Sequence, residues 1–371
     1  MTGLRGAEDP SQSDAFRPTE LDVRRLIELA LAGLGGMRLA DGTFCLERTA
    51  GDGPLLGRSL RYSLMCLIGL VTAARAGHDH DLAGAELRDA LRTAESSPQL
   101  KAGDLGLYLW ADALDGGENC GRLRDNLVHR LEASGGLAAR EGLELAWIVH
   151  GLGLSAGGDD PLFRQALDVL LDNQRPSGLF THYGDGRRRS RFPNFATEIY
   201  SVLALATVAK LGLDDRAAAA ARRTADRLLL RQLPDGGWPW LYDVTTGRVV
   251  EPYEIYSVHQ HAMAPMGMLA LAEATDDDRY VDATAEGLQW IYGRNELGRS
   301  MIDERSLIIY RSIRRKGATA RLVSTANVAT AAATRHAWVP KVGPVELNDT
   351  CRPYELGWLL EAWCGRETIL A

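Results

Sequence analysis

A pattern that returns along the chain limits what it can fold into. Gly42-Thr43-Phe44 precedes Tyr62-Ser63, Gly178-Leu179-Phe180 precedes Tyr200-Ser201, and Gly237-Trp238 precedes Tyr256-Ser257. Each copy joins a glycine turn that ends in an aromatic residue to a Tyr-Ser opening an apolar stretch, across 18–20 residues. Two copies are nearly verbatim, Glu198-Ile199-Tyr200-Ser201-Val202 and Glu254-Ile255-Tyr256-Ser257-Val258. They are preceded by Gln174-x-x-x-Gly178-x-Phe180 and Gln232-x-x-x-Gly236-x-Trp238. A unit of roughly 55–60 residues, repeated through a chain of 371, points to one closed array rather than separate domains.

The hydrophobic pattern fills in the unit. Amphipathic segments at about 21–34, 82–94, 121–133, 160–173, 214–231 and 278–293 alternate with segments apolar nearly all round. The latter lie at about 58–76, 104–114, 141–154, 195–211, 254–274 and 354–364. Twelve helices in this alternation fit two concentric rings, the outer showing one face to water and the inner buried on both sides. The expected fold is therefore all-α, an (α/α)6 toroid whose inner helices begin near Leu60, Asp104, Glu144, Glu198, Glu254 and Glu355. Tyr62, Tyr200 and Tyr256 are expected at equivalent positions. Residues 296–352 interrupt the repeat as a small mixed insertion before the last inner helix, with a strand candidate at 306–313 and a helix near 321–336. Residues 1–19, polar and holding Pro10 and Pro18, read as a disordered lead-in to a single domain over 20–371.

Composition narrows the partners. The net charge of −7 contains no block of like charge, which argues against nucleic acid and against a polybasic membrane surface. No apolar run approaches the roughly 20 residues of a membrane span, and the first residues lack the apolar core of a secretory signal. Five cysteines without paired spacing read as free thiols in a reducing cytoplasm. His259 and His261 diverge on a helix, no Cys-x-x-Cys exists, and no glycine-rich phosphate loop is followed by Lys-Ser/Thr, so neither a metal nor another cofactor is expected. Oligomeric state is left open.

Acidic residues recur where inner helices begin: Asp104, Glu144, Glu198, Glu254 and Glu355, with Leu60-Arg61-Tyr62 as the exception. Each is accounted for by the helix macrodipole alone, yet together they would ring one mouth of a toroid. The fifth hairpin is the richest, because a buried helix carrying Ser257-Val258-His259-Gln260-His261 must pair those polar groups or use them. The candidate catalytic residues are Glu254, His259, Tyr256, Glu198 and Asp243. Trp238, Trp240, Tyr253, His261 and Glu355 are candidate substrate contacts, the aromatics as stacking faces for sugar rings. The run Arg187-Arg188-Arg189-x-Arg191 reads either as a solvated charge run or as a grip for an acidic group, with Arg187 and Arg189 as contacts.

These residues resemble the six-hairpin glycosidase-type superfamily, (α/α)6 toroids that include glycoside hydrolases, polysaccharide lyases and sugar epimerases. Gly237-Trp238-x-Trp240-x-Tyr242-Asp243, followed by Glu254-x-x-Ser257 and Met263, looks like the loop and helix of unsaturated glucuronyl hydrolases. A match for that family's catalytic aspartate is missing. The resemblance implies an enzyme on a glycan or uronic-acid-containing sugar, acting by hydrolysis with two carboxylates or by lyase or epimerase chemistry with Tyr256 or His259 as base. The two Gln-x-x-x-Gly-x-aromatic motifs also resemble the repeats of squalene-hopene-type terpene cyclases, which implies a prenyl substrate. The Asp-x-Asp-Asp motif of those enzymes is missing from 252–257, and Asp276-Asp277-Asp278 sits at an outer-helix start. A non-catalytic glycan-binding toroid is the third alternative.

Overall fold

The computed structural model describes residues 17–51, 53–186, 188–318, 320–334 and 343–370, apart from the side chains of Arg188 and Arg189. Most of the expected lead-in over 1–19 lies outside them. Among the described residues, six helices form an outer ring: α1 (Glu20–Gly35), α3 (Ala85–Ala94), α5 (Cys120–Glu132), α7 (Pro161–Asp172), α9 (Arg216–Leu229) and α11 (Arg279–Ile291). Six form the inner ring: α2 (Leu60–Arg75), α4 (Ala102–Leu114), α6 (Gly142–Ser155), α8 (Phe195–Lys210), α10 (Ala264–Thr275) and α13 (Pro353–Trp363). Each inner helix packs on the next, and α13 closes back on α2. Helix α1 packs against α13, so the sixth hairpin is made from the two ends of the chain. This is the expected (α/α)6 toroid.

Local chemistry explains the element boundaries. Ser59, Asn194 and Asp160 start α2, α8 and α7 by accepting backbone N–H bonds in the first turn, and Pro161 follows Asp160 where its missing N–H costs nothing. Outer helix α9 buries a stripe of small residues, Ala217, Ala220, Ala221 and Ala225, whereas α8 buries nearly its whole surface. Glycines let the inner helices touch backbone to backbone. A Cβ on Gly69 of α2 would stand 2.0 Å from the Gly357 carbonyl oxygen of α13, and one on Gly151 2.2 Å from that of Gly106.

The glutamines of the two repeated motifs fasten turns to outer helices. Gln174 Nε2 donates to the carbonyls of Gly178 and Ala220, and Gln232 Nε2 to those of Gly236 and Ala283. Each side chain thus joins its own glycine turn to the next outer helix. The motif that resembles the cyclase repeat is a staple of the toroid here.

One expectation about the repeat is corrected. The amide of each aromatic turn residue is accepted by a side chain of the following inner helix: Phe44 N–H by Ser63 Oγ, Phe180 N–H by Glu198, and Trp238 N–H by Gln260 Oε1. Against those equivalent residues Tyr62 stands one position before, Tyr200 two after and Tyr256 four before. The three tyrosines are therefore not equivalent, and Glu254 does not correspond to Glu198. The insertion causes the shift. It supplies β2 (Ser312–Arg315) and β3 (Val345–Asn348), and β2 pairs with Ile255 and Tyr256, which form a strand, β1, instead of a first helical turn. The helix starts only at Ser257 and passes through a π-helical segment, His259–Met263, into α10.

The rest of the insertion holds a two-stranded ribbon, Ile302–Asp303 with Ile308–Ile309, the helix α12 (Ala320–Thr334), and a strand Thr350–Cys351. That last strand pairs with Glu47–Thr49 of the first hairpin, strapping the insertion across the ring. Among the described residues no helix is long and apolar enough to cross a membrane.

Candidate active site

The inner helices begin at one end of the ring, and a cavity of about 210 Å³ opens on its axis there. It is lined by Arg61, Tyr62 and Met65 of α2, Leu143 and Trp147 of α6, Ala196 and Tyr200 of α8, Tyr256, His259 and Met263 of the fifth hairpin, Trp240, Arg311 and Tyr354. Aromatic rings make its walls. Tyr62 meets Tyr354 at 4.6 Å, Trp147 meets Tyr200 edge-on at 5.3 Å, and Trp240 lies parallel to the His259 ring at 5.9 Å.

Two guanidiniums are fixed in this aromatic setting. Arg61 donates to Asp104, and to Glu144 at 3.1 Å, and lies over the Trp147 ring at 5.3 Å. Burial pushes the Glu144 carboxyl up, with the Arg61 charge opposing. Arg311 donates to Glu355, which is fully buried, and lies 4.9 Å over the Tyr256 ring. Behind them Arg352 donates to the Tyr62 hydroxyl at 2.7 Å. Charge-assisted bonds of this kind hold a planar fork in one orientation.

His259 is 2 % exposed, and its Nδ1 has no hydrogen-bond partner among the described residues. Burial, helped by the Arg311 charge, pulls its pKa down to about 3, so the imidazole is neutral near pH 7. Tyr256 moves the other way: burial and the Glu254 carboxylate raise its phenol to about 12, keeping it a proton donor. Glu254 accepts that phenol at 3.1 Å and also binds Ser312 and, at 3.2 Å, Asn348.

Of the residues singled out from sequence, Tyr256, His259 and Trp240 meet at the cavity, with Glu254 and Glu355 one step behind it. Others lie elsewhere. Glu198 is buried under the fourth hairpin's turn, accepting the Phe180 N–H at 3.0 and 3.2 Å. Asp243 takes a bidentate bond from Arg191 at 2.9 and 2.8 Å and caps its own turn at Thr245. Burial opposes its ionisation, but the Arg191 and turn bonds hold its carboxyl below the usual range. Trp238 is buried against Phe195 at 5.5 Å rather than presented to a cleft. His261 is fully buried in the wall, where its carbonyl accepts the Trp363 indole at 2.7 Å. Tyr253 donates to Glu296 at 2.9 Å and faces a separate, larger depression beside Arg315. Arg187, and the side chain of Arg189, lie outside the described residues. Arg191 joins Asp243 to the end of α12 through the Ala331 and Ala332 carbonyls, a structural use of that run.

Arg61 and Arg311 line the cavity without being among the candidates that the sequence singles out. Arg61 was visible as the one basic residue at a position where its counterparts are acidic. Arg311 was visible as a charge inside the strand-like run Ile308-Ile309-Tyr310-Arg311-Ser312-Ile313. Their counter-ions Asp104, Glu144 and Glu355 belong to the expected carboxylate ring, and in the structure they brace the arginines. Among the described residues no carboxylate lines the cavity itself, and no group of three or more His, Cys, Asp or Glu is placed to hold a metal ion.

No family model and no curated protein matches the sequence. Solved structures do match over nearly the whole chain. A cellobiose 2-epimerase from Spirochaeta thermophila shares 14% identity, covers 97% of this chain and all of its own length (100%), and superimposes with a TM-score of 0.64. An unsaturated glucuronyl hydrolase from Bacillus sp. GL1 shares 13%, covers 93% of this chain and 96% of its own, with a TM-score of 0.61. A D-mannose isomerase shares 14%, covers 82% and 91%, with a TM-score of 0.59. Identity this low establishes the shared toroid; the chemistry rests on the residues of this chain.

Proposed function

We propose that this protein converts a sugar or sugar acid by moving a proton at a carbon next to a carbonyl or carboxylate, as an epimerase, isomerase or lyase does. The single observation behind this is the cavity lining: two braced guanidiniums, phenols and a neutral imidazole, with no carboxylate among the described residues. Hydrolysis needs two carboxyl groups about 5–9.5 Å apart across the scissile bond, and here Glu254, Glu355, Asp104 and Glu144 are all engaged behind the wall. In the proposed reaction neutral His259 takes the proton, Arg61 and Arg311 offset the charge that develops on the substrate oxygen, and a phenol returns a proton. Trp240 and Trp147 offer flat faces to a sugar ring. The structural neighbours include an epimerase and an isomerase, which supports the same direction. The buried free thiols Cys45, Cys66, Cys351 and Cys364 favour a reducing compartment such as the cytoplasm.

The test is isotope exchange. Aldoses, ketoses and uronates are incubated with the protein in D₂O and followed by proton NMR for loss of the signal at the carbon next to the carbonyl or carboxylate. Exchange with at least one class is expected, falling at least a hundredfold in His259→Phe while the melting temperature stays within a few degrees. Release of reducing ends from oligosaccharides without exchange would favour hydrolysis instead, and ligand binding with neither would favour a non-catalytic toroid.

A further inference from the structure

A second cavity lies at the opposite end of the ring, where the inner helices finish. Its volume of about 420 Å³ falls within the range of small-molecule sites, about 300–1,000 Å³. Leu154, Leu203, Ala206, Met266 and Ala270 form its walls, and Trp110 with His150 its deep end. Trp110 contacts His150 at 4.1 Å between ring centres and Trp358 at 5.2 Å, and Trp358 meets Tyr200 at 6.1 Å. That column of rings blocks the axis, and the two cavities share no lining residue.

The charges at the second mouth offset one another. Lys210 and Arg366 both bind Glu273, and the carboxyl ends of the inner helices add partial negative charge against the surplus cation. Glu361 accepts the Thr72 hydroxyl, and burial raises its pKa to about 7. Nothing at this mouth selects strongly for either sign. Deeper in, the lining is aliphatic and aromatic, with His150 and Thr207 as its uncharged hydrogen-bonding side chains apart from the Trp110 indole. His150 is 5 % exposed, and its shielded Nδ1 has no hydrogen-bond partner among the described residues. His150 thus lines the cavity among apolar side chains, and small cavities with mostly apolar walls take small apolar ligands. At the mouth Leu211 is 48 % exposed, giving an apolar entry.

We propose that this cavity is a second small-molecule site, taking a neutral, largely apolar ring compound with one hydrogen-bonding group, such as an aromatic or alicyclic alcohol. It is separate from the site of the proposed reaction and does not depend on that reading. The intact protein is titrated calorimetrically with p-cresol, toluene, benzoate and benzylamine. One saturable site for p-cresol is expected, at least tenfold tighter than for either charged probe. Leu203→Trp and Ala270→Phe, which fill the cavity from two helices, should each weaken p-cresol at least tenfold. His150→Phe should bring it down to the affinity of toluene, and His259→Phe in the first cavity should leave it within twofold. Circular dichroism melts identify any variant that has unfolded, and the other filling variant then decides. No saturable binding, equal binding of the charged probes, or loss in His259→Phe but in neither filling variant overturns the proposal.

Discussion

Replacing Glu198 by glutamine asks whether this residue belongs to the fold or to the chemistry. The Phe180 N–H donates to both oxygens of Glu198, while in the fifth hairpin the equivalent Trp238 N–H donates to Gln260 at 3.2 Å. Glutamine is thus a side chain that the toroid already uses at the same place. Glu198 is fully buried, and burial pushes its pKa well above 4.5, with the Phe180 bond opposing. Unfolded, it titrates like an ordinary glutamate, near 4.3. Above that pH the unfolded chain has released a proton that the folded one keeps, so stability falls as pH rises. The slope is about 1.4 kcal/mol per pH unit until the folded carboxyl ionises too. Below about pH 4 both states are protonated and the effect is gone.

Glu198→Gln carries no such proton. It should match the parent near pH 4 and become more stable than the parent as pH rises. With unfolding entropy near 2.1 cal/mol/K per residue, a chain of this length shifts by about 2 °C for each pH unit in that window. Calorimetry of both proteins from pH 4 to 8 reads the divergence directly. Glu198→Ala is the contrast, since it strands a buried N–H at a cost of about 1–3 kcal/mol and should be less stable throughout. A melting difference between parent and Gln variant that stays constant across the range would refute the burial argument. Loss of activity in Glu198→Gln with stability intact would return the residue to the chemistry.

Three further outcomes follow from the same geometry. Glu355→Ala leaves Arg311 buried without its counter-ion, which should cost about 3–5 kcal/mol, a fall of about 4–6 °C in melting temperature, and abolish turnover. Gly69→Ala puts a methyl 2.0 Å from the Gly357 carbonyl, so α2 and α13 must part. A loss of about 1–3 kcal/mol or more in urea unfolding is expected, and an unchanged midpoint would mean the ring closes with slack at that seam. Gln232→Ala removes the staple to Gly236 and Ala283 and should lower stability by about 1–3 kcal/mol while turnover stays the same, as measured by thermal melts and steady-state kinetics.

The twelve-helix toroid was legible because it depends on properties that sequence carries locally: the alternation of one-sided and all-round apolar segments, and glycine turns at fixed spacing. The site was legible only in part, and the fifth hairpin shows why. Glu254-Ile255-Tyr256-Ser257-Val258 copies Glu198-Ile199-Tyr200-Ser201-Val202 almost letter for letter, yet one run is a strand edge and the other the body of a helix. Both runs have β-branched and aromatic residues that tolerate either state, so local propensity does not decide between them. What decides is Ile313 and Ser312, some 56–58 positions downstream, which offer Ile255 and Tyr256 a strand to pair with. That pairing carries Glu254 out of the ring of helix starts and leaves Gln260 to accept the turn amide in its stead. It also brings His259, rather than a carboxylate, to the axis. The same insertion delivers Arg311 over Tyr256, so it supplies a cationic group of the cavity. The repeat builds a nearly symmetric barrel of helices, and the non-repeating segment breaks that symmetry at one hairpin. Tyr256, His259 and Arg311 of the cavity lining gather at that break, where a strand takes the place of the first helical turn.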